Sequence, residues 1–280
     1  MTPGLTHKKD ILIDKKNRKI RFSSFIPQKT TMQLVVVHGF SEHKRCYYEM
    51  AEKLCHKGIA VHLLDLPGHG LSDGPRGHID DFQDYLDDVH LFFHSYPHFL
   101  KTKPVFLLGH SLGGLIATQY CLQQKPKIKG LILSSPLTGF CSLTSVAITI
   151  LAKIIARNNP AYLIAKPSGV RFLSRDPKKW EGYRSDPYRV RTISPYLFLS
   201  MGQQSRLLQS RASELNHPLL VFYTAKDQVV SVAAIARFFA NVGSRDKTAV
   251  VFTEAMHELF QEVEQKEVQE KMWVWMNERL

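Results

Sequence analysis

The sequence predicts an α/β protein built on a mostly parallel, doubly wound sheet, and three observations carry that expectation. Short apolar runs alternate with helical stretches along most of the 280 residues, the rhythm of a parallel sheet covered on both faces. One of those runs, at residues 105–108, leads into Gly109-His110-Ser111-Leu112-Gly113-Gly114 and then into a helical stretch, so a glycine-framed serine sits at a strand-to-helix turn. Between residue 136 and about residue 214 the rhythm lapses into a stretch with no clear strand, one short apolar helix and several proline breaks. That stretch predicts an insertion above the sheet, at the edge where the serine sits.

Taken in order, residues 11–26 alternate weakly about Lys15-Lys16-Asn17-Arg18 and read as a β-hairpin. Residues 32–37 form a buried strand that ends in His38-Gly39-Phe40-Ser41-Glu42-His43, and a helix follows over 46–56, closed by Gly58. Another buried strand, 59–66, runs into the turn Pro67-Gly68-His69-Gly70-Leu71-Ser72, and residues 79–100 read as helical, with Pro97 ending that helix early. After the serine turn and its helix comes a strand at 130–135. The α/β rhythm resumes with a strand at 219–223, a helix at 231–242, a strand at 248–253 and a last helix from about 258. Residues 1–280 thus read as one domain with a helical cap insertion at 137–214.

Composition narrows the class. With 44% hydrophobic and 22% charged residues the chain is an ordinary globular protein, not a disordered one. The formal charge of +12 includes a basic amino-terminal segment (Lys8, Lys9, Lys15, Lys16, Arg18, Lys19, Arg21). Such a segment suits an anionic membrane surface or is simply a solvated face. Nucleic acid is not expected, because the basic residues are not interleaved with aromatics in a nucleic-acid module. Cys46, Cys55, Cys121 and Cys141 show no C-x-x-C or metal spacing and read as free thiols of a reducing compartment. Residues 1–10 are polar and lack the apolar core of a signal peptide. No apolar run reaches the ~18 residues of a membrane span. Together these predict a cytoplasmic protein, at most peripheral to a membrane.

The chemistry follows from the serine turn. Gly109-x-Ser111-x-Gly113 is a nucleophile elbow, a turn so tight that side chains two residues either side of the serine would collide. A serine hydroxyl needs an adjacent base, itself oriented by a carboxylate. Both should follow the serine at later strand ends, acid before histidine. Asp227 closes the run Leu219-Leu220-Val221-Phe222-Tyr223, and His257 lies just beyond the last strand. Asp227 could also cap the helix after it. Glu254 is the competing acid, though it stands too close to His257 in sequence to hold the ring from behind. An oxyanion hole should combine the N–H of Leu112 with that of Phe40, in the loop after the strand at 32–37.

With these residues in place the chain resembles the α/β-hydrolase superfamily, in particular its monoacylglycerol lipase and lysophospholipase branch. The resemblance rests on His38-Gly39-x-x-Glu42-His43, Asp65-x-Pro67-Gly68-His69-Gly70-x-Ser72, Gly109-His110-Ser111-Leu112-Gly113-Gly114, Tyr183-x-Ser185-Asp186-Pro187, Asp227 and His257-Glu258. It spans about residues 11–280. It implies a serine esterase or lipase that releases a fatty acid from a single-chain lipid, with a helical cap, no metal and no cofactor. Ser111, Asp227 and His257 become the triad, Phe40 and Leu112 the oxyanion donors, and Glu42 and Tyr183 part of the polar pocket. Three positions depart from the family pattern: Cys46 stands where an arginine usually precedes the tyrosine, Phe40 replaces a small oxyanion residue, and Thr224 replaces a glycine three residues before the acid. A short-chain or aromatic carboxylesterase is the alternative. A peptidase of the same fold would need acidic cap residues, and the cap is rich in Lys and Arg instead.

The apolar stretch 145–156 carries one charge, Lys153, and is too short to span a bilayer. Either neighbouring segments such as 161–165 cover it, or it dips into an anionic membrane surface at the mouth of an acyl tunnel.

Overall fold

The computed structural model describes residues 5–95, 102–141, 145–165 and 169–280. The amino-terminal hairpin pairs β1 (Leu5–Ile13) with β2 (Lys19–Pro27), and its turn is closed by Asp14, which accepts from the Lys16 and Arg18 N–H groups at 2.9 and 2.7 Å. Next come β3 (Met32–Val37), a 3₁₀ turn (Lys44–Tyr47), α1 (Tyr48–His56) and β4 (Ile59–Leu64). Then follow α2 (Gln83–Ser95), β5 (Val105–His110), α3 (Leu112–Gln124) and β6 (Gly130–Ser134). The helix expected over residues 79–100 begins only at Gln83, and its stretch around Pro97 lies outside the described residues.

The eight main strands run in the order β1-β2-β4-β3-β5-β6-β9-β10, with β9 (Leu219–Thr224) and β10 (Lys247–Phe252) completing the far edge. Only β2 runs against the rest, pairing antiparallel with β1 on one side and β4 on the other, so the sheet is parallel wherever crossover helices connect it. Alternation along each strand splits the core into two layers. Val35, Val37, Leu107, Leu131 and Val221 face α2, α3 and the helices described below. Leu34, Val36, Phe106, Ile132 and Phe222 face α1 and the carboxy-terminal helix.

The segment between β6 and β9 holds more regular structure than its sequence suggests. It contains α4 (Ser145–Asn158), a two-stranded ribbon of β7 (Ile164–Ala165) and β8 (Thr192–Ile193), α5 (Pro177–Ser185) and α6 (Pro195–Ser210). The prolines that read as breaks are helix starts. Pro177 and Pro195 take the first helical position, where no N–H is needed. Asp176 and Ser194 before them cap the helices by accepting from Lys178 N–H at 3.0 Å and Leu197 N–H at 3.1 Å. Beyond the segment lie α7 (Val232–Asn241), between β9 and β10, and α8 (Gln265–Asn277). The last helix starts later than its sequence suggests, because residues 253–264 form a loop with one 3₁₀ turn (Leu259–Gln261) that carries His257.

Candidate active site

The centre of the site is the turn from β5 into α3. Ser111 has φ 50° and ψ −115°, a conformation few side chains adopt, and its N–H is anchored to the Ser134 carbonyl at 3.0 Å. Glycine is required on the helix side of the turn. A Cβ on Gly113 would lie 2.1 Å from the Val37 carbonyl oxygen, and one on Gly109 would lie 2.4 Å from the Gly113 oxygen. The close approach brings the N-terminus of α3 against the end of β3. Leu112, the first residue of α3, therefore presents a helix-terminal N–H beside the serine, where no intrahelical partner exists.

Asp227 and His257 reach this point from the next two strands. Asp227 follows β9, and its Oδ1 accepts from the N–H groups of Val229 and Val230 at 2.8 and 3.0 Å. Its Oδ2 lies 2.7 Å from His257 Nδ1, and His257 Nε2 lies 2.9 Å from Ser111 Oγ. All three side chains are buried. Burial alone would raise the Asp227 carboxyl, but the His257 ring and the two N–H donors outweigh it and hold the group below its usual value. Glu254 takes no part in this chain. It is exposed on the surface and pairs with Lys226 at 2.6 Å. Thr224, the residue at the departed glycine position, donates its hydroxyl to the Ala255 carbonyl at 2.5 Å and so ties the acid's loop to the histidine's loop.

The remaining sequence candidates divide. Phe40 stands in the wall of the cavity that contains Ser111 and His257, its ring edge-on to His69 at 5.6 Å. Glu42 does not line that cavity. Its Oε2 accepts from Gly39 N–H and from the Tyr47 hydroxyl, both at 2.8 Å, so it braces the Phe40 loop from behind. Tyr183 is also absent from that wall; it borders a separate small cavity of about 80 Å³, beside Ser41 and Arg189. The resemblance puts both in the polar part of the pocket; the structure has Glu42 behind the Phe40 loop and Tyr183 beside the smaller cavity.

The cavity over Ser111 measures about 410 Å³, within the ~300–1,000 Å³ of small-molecule sites. Most of its wall is apolar, including Leu151, Phe198, Met201 and Val230. Beside Ser111 its polar members are His110, His257 and Glu258, with Ser194, whose hydroxyl already bonds His78 and Leu197 N–H. Three of the wall residues, Ile148, Leu151 and Ile164, are also exposed, so the cavity adjoins the outer apolar face of α4. Residues 161–165 do not cover that face. Tyr162 and Leu163 are themselves exposed, as are Ile150 and Ile154 at 54% and 59%. Among the described residues, no helix is long and apolar enough to cross a membrane.

Sequence reasoning missed Arg189, whose guanidinium binds Glu258 with two contacts of 3.1 Å. Nothing in the spacing of Asp186-Pro187-Tyr188-Arg189 marks it, because its partner lies 69 residues away. His43, Cys46 and Asp186 come close enough to share an ion. However, His43 Nε2 already bonds Asp186 at 2.7 Å, and the Arg189 cation lies 3.9 Å from Cys46 Sγ, which opposes a metal there.

A family model described as "Serine aminopeptidase, S33" matches residues 28–264. The phospholipase YtpA of Bacillus subtilis is 32% identical over 238 residues, covering 84% of this chain and 91% of that protein. A monoacylglycerol lipase of Mycolicibacterium smegmatis is 29% identical over 247 residues, covering 87% of each. Among solved structures, the monoacylglycerol lipase of Paleococcus ferrophilus superposes with a TM-score of 0.82 at 26% identity, covering 99% of both chains.

Proposed function

From its membership of the serine aminopeptidase S33 family, to which the chain belongs, we propose that this serine hydrolase of the α/β-hydrolase fold releases a fatty acid from a single-chain lipid ester, a monoacylglycerol or a lysophospholipid. The observation that carries this reading is the apolar cavity of about 410 Å³ that ends at Ser111. An acyl chain fits such a wall, and the polar ester end then lies at the serine. A substrate amine would find no free carboxylate among the described wall residues, since Glu258 is already paired with Arg189. That favours an ester over a peptide.

In this reading Ser111 Oγ attacks the ester carbonyl as its proton passes to His257 Nε2. Asp227 keeps the other ring nitrogen protonated and stabilises the imidazolium that forms. The carbonyl oxygen becomes an oxyanion held by the N–H groups of Leu112 and Phe40, at the positive end of α3. Collapse of the tetrahedral intermediate breaks the bond to the alcohol, which leaves with the His257 proton. His257 then takes a proton from water; the hydroxide attacks the acyl-enzyme, the fatty acid departs, and Ser111 recovers its proton. Residues 137–214 act as the cap that closes the acyl cavity. The small cavity beside Tyr183 receives the leaving alcohol, and Glu42 acts by bracing the Phe40 loop. The exposed apolar face of α4, with Lys153 and Arg157 on the same helix, rests on an anionic membrane surface from which the substrate enters.

A fluorophosphonate probe should label the parent and not Ser111→Ala. In a panel of monoacylglycerols, lysophospholipids and nitrophenyl esters, long single-chain lipids should give the highest kcat/KM. Labelling with activity confined to short or aromatic esters would replace the lipid reading with the carboxylesterase one.

A further inference from the structure

Beside the Ser111–His257–Asp227 chain lies a second buried charged pair that the proposed reaction does not use. Arg189, between α5 and β8, donates from Nη1 to Glu258 Oε1 and from Nη2 to Glu258 Oε2, both at 3.1 Å. Both side chains are buried, at 6% and 3% exposure. The guanidinium lies over the Tyr183 ring, 4.1 Å from its centre, so one cation meets a carboxylate fork and an aromatic face together.

The position of the pair is what matters. Glu258 follows His257 directly and lines the cavity with it. The loop that carries them is fastened to the segment above the sheet by backbone bonds as well: His257 N–H donates to the Phe172 carbonyl at 3.4 Å and Glu258 N–H to the Leu173 carbonyl at 2.8 Å. Arg189 is thus one side-chain anchor of a junction between the segment above the site and the histidine loop, and the one that binds the residue next to His257. Ser174 on the Gln261 carbonyl and Arg175 on Glu262 are others. Two further carboxylates sit near His257. Asp227 is bonded to it, and Glu42, on the stretch after β3, acts on the neighbouring His110, whose ring centre lies 4.9 Å from that of His257. Cys46, Tyr47 and Tyr183 pack round the pair, all pushed up by burial and so neutral. His43, lowered by burial, and Asp186, bonded to it at 2.7 Å, also feel the Arg189 charge. The Arg189 charge bears on Glu258, Cys46 and Glu42 alike. Burial would raise the Glu258 carboxyl, yet the Arg189 charge keeps it ionised, below its usual range.

We propose that Arg189 is a positioning residue for the base, cancelling the Glu258 charge beside His257 and anchoring the loop that carries both. Without it, an uncompensated carboxylate next to the imidazole would favour the protonated ring, which cannot accept the Ser111 proton. The inference rests on the hydrolase reading above and adds to it a source for the base's working protonation state.

The test measures kcat/KM against pH on a soluble nitrophenyl ester, and the pH dependence of fluorophosphonate labelling, which needs no knowledge of the natural substrate. Arg189→Met should move the acid limb of both profiles upward by about half a pH unit or more. Glu258→Gln leaves the cation unbalanced and should move it downward. The double variant, neutral on both sides, should return close to the parent limb, and Arg189→Lys should restore part of the shift. A pair that only held the fold would lower activity without opposite-signed shifts. Should Arg189→Met fail to fold, Glu258→Gln and the double variant still carry the sign test. Unmoved limbs in folded variants, or single variants that shift in the same direction, overturn the proposal while leaving the hydrolase reading intact; a parent that neither labels nor hydrolyses overturns both.

Discussion

Ser111 is held in a rare backbone conformation by neighbours that leave no room for side chains, so the first expectations belong to single residues. Ser111→Ala should fold, since its N–H anchor to Ser134 remains, yet lose on the order of 10⁴–10⁶ in turnover. Asp227→Asn should cost about 10⁴, because the ring loses the partner that fixes its tautomer. Glu254→Gln should be indistinguishable from the parent, since Glu254 faces solvent. Steady-state kinetics on one soluble ester separates the three. A large loss in Glu254→Gln with Asp227→Asn near normal would reassign the acid. Gly113→Ala should instead damage folding, because its methyl group would meet the Val37 oxygen at 2.1 Å, and backbone there cannot give way.

At the scale of elements, the helices between β6 and β9 are set by their first residues. Ser194 caps α6 and also bonds His78 Nδ1 at 2.8 Å, so Ser194→Ala removes a cap and leaves a half-buried imidazole short of a partner. A loss of about 1–2 kcal/mol in urea unfolding is expected, and a loss near zero would mean that α6 is held by its apolar face alone. α4 behaves differently. Its inner side lines the cavity through Ile148, Leu151 and Ala152, while Ile150 and Ile154 point to solvent. Replacing Ile150 and Ile154 together with Ser should weaken binding to anionic vesicles several-fold and spare hydrolysis of a small soluble ester. Vesicle binding equal to the parent's would leave α4 as a lid and nothing more.

For the whole molecule, the buried imidazoles set a pH limit. His38 bridges the ends of β3 and β4, donating from Nδ1 to the Gly39 carbonyl at 2.9 Å while Nε2 accepts from Leu66 N–H at 3.0 Å, an arrangement that requires a neutral ring. His62 bonds Ser24 and Gln33, and His69 bonds the Pro67 carbonyl. Burial lowers all three from 6.5, His62 and His69 to about 4 and His38 well below its usual value. Groups whose folded pKa is depressed contribute stability that is fully present above about 6.5 and lost as pH falls toward 4. Asp88, whose carboxyl is pushed up to about 8 by burial, acts in the opposite sense over the same range. In an Asp88→Asn background, which removes that opposing group, the melting temperature should therefore drop steadily between pH 7 and pH 4.5. A flat melting temperature across that range would mean that these rings protonate freely in the fold.

Much of this was legible in the chain itself. The apolar runs of β3 and β5 and the glycines of the turn at Ser111 are local patterns, and they mark a strand and an elbow wherever the segment sits. For the same reason the order of strands and helices and the strand-end positions of Asp227 and His257 could be read from spacing. Three features could not. Pro177 and Pro195 look like interruptions because a proline excludes the helix before it and permits the one after, and only the caps at Asp176 and Ser194 decide which applies. Motif order names Glu42 and Tyr183, but which loop or cavity each side chain meets depends on what packs behind it. The Arg189–Glu258 pair joins residues 69 positions apart, and long-range pairing leaves no periodic mark in a single sequence. Local backbone chemistry was determined by the sequence, whereas the wall of the cavity and the charges beside the base were decided by tertiary packing, because those depend on segments that meet only once the chain is folded.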